Sequence, residues 1–149
     1  MFRKLLVSVL FAAVPFVATC APLSFELKDT AGTTHSLESH RGKWVLLNLW
    51  ATWCAPCVSE MPELESLSKA HSNLVVIGLA VDGRNSERIK QFAEKLHVSY
   101  PIVAGDTEMT KQFKPRGYPT SLPFDGSGNL VFVKPGAITQ AEVESVLVR

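Results

Sequence analysis

Val45-Leu46-Leu47-Asn48-Leu49-Trp50-Ala51-Thr52-Trp53-Cys54-Ala55-Pro56-Cys57 reads as a buried strand, a short connection and the first turn of a helix. The run from Val45 to Trp50 is almost continuously apolar, as expected of a strand covered on both faces. Val58, Met61, Leu64 and Leu67 then recur at helical spacing, which predicts a helix from Cys57 to about Ala70. The two cysteines therefore stand where a strand gives way to a helix. The nucleophile in disulfide exchange is the thiolate, and a free cysteine has a pKa of ~8.5. A sulfur at a helix N-terminus faces unpaired N–H groups and the positive end of the helix dipole, both of which favour the thiolate. Pro56 suits the first turn, where no donor is needed. The two-residue spacing lets the second sulfur reach the first and expel a partner held there.

The pattern repeats downstream. Leu74 to Val81 is a second buried-strand run, and Ser86 is placed to cap a helix that buries Ile89, Phe92, Ala93 and Leu96. Strand, helix, strand, helix predicts parallel pairing with crossover helices. The end of the chain differs. Thr120–Phe124, the turn Asp125-Gly126-Ser127-Gly128, and Leu130–Val133 predict an antiparallel hairpin. Pro123 cannot donate to a ladder, so an edge position, a bulge or an early strand end is expected there. Thr139 with Glu142 forms a capping-box pattern ahead of a last helix that buries Val143, Val146 and Leu147. The fold class is α/β: a mixed sheet, parallel in its first half and antiparallel at its end, with helices on both faces.

At 149 residues the chain has room for one domain. Hydrophobic residues at 46% and charged residues at 19% fit an ordered globular protein. The first twenty residues stand apart. Arg3 and Lys4 precede the 13-residue apolar run Leu5–Val17, broken only by Ser8. That run is short of the ~20 residues a membrane span needs and fits the hydrophobic region of an export signal. Residues 1–20 are thus read as a leader and 21–149 as a single domain. Val17-Ala18-Thr19-Cys20 resembles a bacterial lipoprotein box with Cys20 as the lipidated residue, although Thr19 departs from the small residue that the pattern prefers. Cleavage without lipidation is awkward with Pro22 just after Ala21. Cleavage and an uncleaved anchor nevertheless both stand beside lipidation. Without Arg3 and Lys4 there are 13 basic against 14 acidic residues, which gives no electrostatic reason for a nucleic-acid partner.

Apart from Cys20, the cysteines are Cys54 and Cys57 alone. A bridge across so small a loop adds little to fold stability. A zinc site would need further ligands, and His35, His40, His71 and His97 show no paired ligand spacing. Redox work fits best beside the alternatives of half a zinc site and two inert thiols. No metal and no cofactor is called for.

Trp53-Cys54-Ala55-Pro56-Cys57 resembles the active site of the thioredoxin superfamily. The stretch from Gly42-Lys43-Trp44 to Met61-Pro62-Glu63-Leu64 is similar to its exported TlpA/ResA-like branch. The resemblance runs from about Pro22 onward, and it includes the extra strand–helix unit, Leu74 to Val103, that this branch inserts into the thioredoxin fold. It implies a thiol–disulfide oxidoreductase in which Cys54 attacks a substrate disulfide and Cys57 resolves the mixed disulfide. Gly117-Tyr118-Pro119-Thr120 resembles the loop whose cis-proline faces the disulfide. It implies a cis bond before Pro119 and a Tyr118 backbone free to pair with an extended substrate. Asn48 takes the position of a buried acid in cytoplasmic thioredoxins, and Glu60 resembles its substitute in this branch. The alternative for Glu60 is a surface residue in the first helical turn. Trp50 is expected in the core and Trp53 beside Cys54 as an exposed platform. Pro62 is expected to kink the helix, since its ring displaces the bond to Val58.

The resemblance implies a reductant at the outer face of the cell membrane or in the periplasm, recharged by a membrane thiol carrier and acting on disulfides of exported proteins. Apocytochrome c, metal-site cysteines and damaged exported proteins all fit. Cytochrome c maturation thioredoxins typically carry an acid after the cis-proline, and Thr120 departs from that. A periplasmic chaperone or binding module for a maturation partner is an alternative. A peroxiredoxin-type peroxidase is another, but it would place a threonine where Ala51 stands.

Overall fold

A computed structural model describes residues 23–147. The expected leader, Cys20 and the Ala21-Pro22 junction lie outside the described residues. A five-stranded sheet forms the centre, built from β3 (Trp44–Trp50), β4 (Leu74–Ala80), β5 (Ile102–Ala104), β6 (Thr120–Phe124) and β7 (Lys134–Pro135) in the order β5-β4-β3-β6-β7. β3 pairs in parallel with β4 from Trp44↔Leu74 to Trp50↔Ala80, and antiparallel with β6 from Val45↔Phe124 to Leu49↔Thr120. A separate antiparallel hairpin, β1 (Glu26–Lys28) and β2 (Thr34–Ser36), was not foreseen from the sequence. Its strands are three residues long, too short for alternation to stand out.

β3 is central because both its faces are apolar. Leu46 and Trp50 enter one core with Met61, Leu64 and Leu67 of α1 (Ala55–Ala70), Ile89 and Ala93 of α2 (Ser86–Lys95), and Val143 of α4 (Gln140–Leu147). Val45, Leu47 and Leu49 enter the other core with Phe25, Leu27, Phe113 and Phe124. The steps β3→β4 and β4→β5 run the same way across the sheet. Right-handed crossovers therefore put α1 and α2 on one face. The opposite face is covered by the β1–β2 hairpin, α3 (Thr107–Thr110) and the 3₁₀ turn Lys111–Phe113, so helices do stand on both faces. Among the described residues no helix is long and apolar enough to cross a membrane.

Three local expectations change. α1 starts two residues early, with Cys54 as its N-cap, and runs on through Pro62 to Ala70. Asn85 caps α2 instead of Ser86, its side chain accepting from the Arg88 N–H at 3.0 Å. The hairpin turn forms, with Asp125 accepting from the Ser127 and Asn129 N–H groups, but Leu130–Val133 is not a regular strand. Phe124 bridges Leu130, whereas Ser121 pairs with Lys134, so the return strand carries one extra residue, as in a bulge. The Pro123 carbonyl accepts from Val131 N–H at 2.9 Å. A strand residue's N and O point to the same side, so the donor that proline lacks is missing where pairing is already broken. The capping box of α4 is present: Thr139 N donates to Glu142 Oε2 at 2.9 Å, and Glu142 N to Thr139 Oγ1 at 3.3 Å.

Candidate active site around Cys54 and Cys57

Cys54 and Cys57 form a disulfide with Cα atoms 5.3 Å apart. Cys54 has extended backbone as the N-cap, and its Sγ accepts the Cys57 N–H at 3.3 Å. One of the unpaired donors of the helix start is thus aimed at the sulfur, where it favours the thiolate once the bridge opens. The two residues differ in exposure: Cys54 keeps 5% of its surface and Cys57 none. What little surface the pair offers belongs to the first.

The segment before the helix is pinned from the connection after β4 and from α2. Thr52 Oγ1 donates to Asp82 Oδ2, and Arg88 Nη2 donates to the same oxygen at 3.0 Å and to the Asp82 carbonyl at 2.9 Å. Burial would raise the Asp82 pKa, but these donors hold its carboxyl below the usual range. Sequence reasoning missed this cluster. Its members are up to 36 residues apart, with no shared periodicity to signal it.

Trp50 is fully buried, whereas Trp53 is 69% exposed. The Trp53 ring meets Tyr118 edge-on with centroids 6.3 Å apart. The Tyr118–Pro119 bond is cis. Pro119 O accepts from Gly136 N at 2.8 Å and Gly117 O from Thr120 Oγ1 at 2.7 Å. Among the described residues the Tyr118 backbone N–H and C=O have no partner. The structure thus brings Trp53 and Tyr118 together, with an unpaired stretch of backbone at Tyr118.

Glu60 is not on the surface. It keeps 4% of its area, one helical turn after Cys57, and its two oxygens accept from Asn48 Nδ2 at 2.8 Å and Ile138 N at 2.9 Å. Asn48 Nδ2 also donates to Ser121 Oγ at 3.0 Å. Burial pushes the Glu60 carboxyl above its ordinary value, and Glu63 adds to the rise, against the lowering effect of the two donors. A carboxyl whose pKa burial raises is better suited to take and return a proton than an ordinary surface one. A cleft lined by Pro56, Ser59, Glu60, Glu63 and Ile138 opens beside it. Ser121 and the Ile138 N–H were not foreseen, because Ser121 reaches Asn48 by pairing across the sheet and Ile138 reaches Glu60 from the segment ahead of α4.

A redox-active pair at the start of the helix that follows the central strand of a mixed sheet defines a thioredoxin-fold thiol–disulfide oxidoreductase. The AhpC/TSA family matches residues 17–133. Thiol-disulfide oxidoreductase ResA of Geobacillus kaustophilus is 33% identical over 130 residues, covering 86% of this chain and 74% of the relative. Thioredoxin-like protein YneN of Bacillus subtilis is 32% identical over 126 residues, covering 83% and 74%. Of solved structures, the exposed lipoprotein thioredoxin of Streptococcus pneumoniae superposes with a TM-score of 0.74 at 26% identity, covering 85% of this chain and 98% of that one. A thioredoxin-family thiol:disulfide interchange protein of Chlorobium tepidum gives 0.73 at 28%, covering 88% and 97%. The chain belongs to the AhpC/TSA family, among its ResA-like thiol–disulfide oxidoreductases.

Proposed function

We propose that the chain reduces disulfides of exported proteins outside the cytoplasm, with residues 1–20 as its leader and 21–149 as one catalytic domain. The observation that carries this reading is the asymmetry of the pair: Cys54 reachable and facing a helix N–H, Cys57 sealed beneath it.

Cys54 thiolate attacks a substrate disulfide, forming a mixed disulfide and releasing one substrate thiolate. Cys57 gives up its proton and attacks Cys54 Sγ, which closes the bridge and releases the second thiolate. Two electrons pass to the substrate. Glu60, one turn from Cys57 and with its pKa raised by burial, accepts the Cys57 proton. Trp53, Tyr118 and Pro119 form the substrate face, where the unpaired Tyr118 backbone receives an extended segment. A membrane thiol carrier returns the two electrons. Anchorage through a lipid on Cys20 keeps the domain beside that donor, and apocytochrome c and metal-site cysteine pairs are substrates of the right kind. The lipoprotein thioredoxin among the similar structures supports the anchorage.

The test is equilibration of the purified chain in graded thiol–disulfide buffers, read by thiol alkylation. A potential near that of thioredoxin, ~−270 mV, is expected of a reductant. A value near ~−120 mV, as for a disulfide donor such as DsbA, would reverse the direction of electron flow.

A further inference from the structure

A groove of about 540 Å³ lies directly beside the Tyr118 loop, lined by Phe113, Lys114, Arg116, Val133 and Pro135. Both of its walls lead into the substrate face. Phe113–Arg116 runs straight into Gly117-Tyr118. On the other wall Pro135 pairs with Thr120, and the next residue, Gly136, donates to the Pro119 carbonyl at 2.8 Å. Val133 is 42% exposed, one of three large apolar side chains so exposed among the described residues. The floor is thus apolar and the lip basic.

The basic lip is unneutralised. Nearby Lys111 is held by Glu108 at 2.8 Å, and Lys134 turns to Glu142 at the C-terminal helix. Lys114 and Arg116 have no carboxylate within salt-bridge reach among the described residues, and both are exposed. Lys114 stands in left-handed backbone, φ 48°, at the end of the 3₁₀ turn. Beyond Gly136 the charge changes sign, where the exposed Glu63 lines the cleft against Ala137–Thr139. One side of the edge segment therefore attracts anions, and the other repels them.

We infer that this groove is a specificity subsite that takes the acidic flank of an extended substrate peptide, one carrying Asp or Glu within about four residues of the cysteine under attack. The inference rests on the proposed reducing function and on the Tyr118 loop as its substrate face. A peptide paired along Tyr118 advances ~3.3 Å per residue, so four residues reach about 13 Å beyond the loop. Apolar side chains of such a peptide cover Val133 and Pro135, while its carboxylate meets Lys114 and Arg116. Charge at an exposed rim acts on capture and register more than on total affinity.

The test uses the full chain in its dithiol form and three peptides identical except for Asp, Ala or Lys three residues from a cysteine. That cysteine is held in a mixed disulfide with a coloured aromatic thiol, whose release reports the rate. Reduction of the Asp peptide is expected to exceed that of the Ala peptide roughly three- to tenfold at low salt. The Lys peptide is expected to be slowest. The preference fades toward 1 M salt, where the screening length is ~3 Å. The double variant Lys114→Glu/Arg116→Glu is expected to reverse the order, an outcome that misfolding cannot produce. If that variant reduces no peptide, Lys114→Gln/Arg116→Gln replaces it, with an expected Asp-to-Ala ratio near one. Equal rates in the unmutated chain, or an unchanged order in the variants, overturn the subsite alone. Reduction of none of the peptides by the unmutated chain overturns the proposed function and the subsite together.

Discussion

Asn48 Nδ2 donates to Glu60 Oε1 at 2.8 Å, joining β3 to α1 through two buried side chains. An amide cannot take the proton that an acid at position 48 would carry. The buried carboxyl lies instead on the helix, one turn after Cys57, and the amide orients it. Ile138 N–H occupies the second carboxyl oxygen, which ties the same group to the segment ahead of α4.

Because burial raises the Glu60 pKa above 4.5, the folded state binds more protons than the unfolded one between that value and the raised one. This contribution to stability is full below the unfolded value and is lost as pH rises through the folded one. Glu60→Gln is expected to remove it. Denaturant titrations across pH should show the difference between wild type and variant shifting in favour of the variant as pH rises. One acceptor for Ile138 N–H is lost at all pH values, costing about 1 kcal/mol. The same variant is expected to change the acid limb of the pH–rate profile for disulfide exchange, and an identical profile would remove Glu60 from the mechanism.

Cys57→Ser is expected to accumulate substrates as mixed disulfides on Cys54, because the reachable sulfur survives and the resolving one is gone. Cys54→Ser should trap far less, since Cys57 has no exposed surface. Non-reducing gels of cells producing each variant decide the matter: equal trapping by both would remove the assigned asymmetry, and more trapping by Cys54→Ser would reverse the roles.

Gly78→Ala should destabilise by about 1–3 kcal/mol through overpacking. A Cβ there would meet Ile102 Cδ1 at 2.9 Å, Trp50 Nε1 at 3.0 Å and Tyr100 Cε2 at 3.2 Å. Ile102 can turn away, but two buried rings cannot both do so. Thermal unfolding followed in the near-ultraviolet, where Trp50 contributes, is expected to shift down by several degrees.

Glu65 is expected to contribute to stability that acid removes. Burial would raise its pKa, yet Lys69, the Ser99 hydroxyl and N–H, and the Tyr100 N–H bring it down to about 2. The depressed value means that its stabilisation is complete above 4.5 and is lost as pH falls toward 2. Glu65→Gln is expected to cost about 1–3 kcal/mol at pH 7 and much less near pH 2. A cost that does not depend on pH would mean that packing, not charge, is what the residue supplies.

Much of this was legible in the chain itself, because it rests on local rules. The apolar runs of β3 and β4, the helical spacing after Cys57 and the Thr139–Glu142 box each depend on neighbours within a few residues. So does the placing of two cysteines at a strand-to-helix junction. The resemblance supplied the candidates Glu60, Tyr118 and Pro119 by position. Other features depended on contacts between distant segments. Cys54 became the N-cap only when the helix began two residues early. Glu60 was buried by Asn48 and by the Ile138 N–H, 78 residues away. The extra residue between Leu130 and Lys134 lies in the pairing of the return strand with β6, not in either strand's own pattern. The basic groove exists because the end of the 3₁₀ turn and the edge strand meet beside the cis-proline loop. Periodicity and capping act over one or two turns and are written in the order of residues. Burial, register and the sign of charge on a surface arise only when segments far apart in the chain are packed against one another.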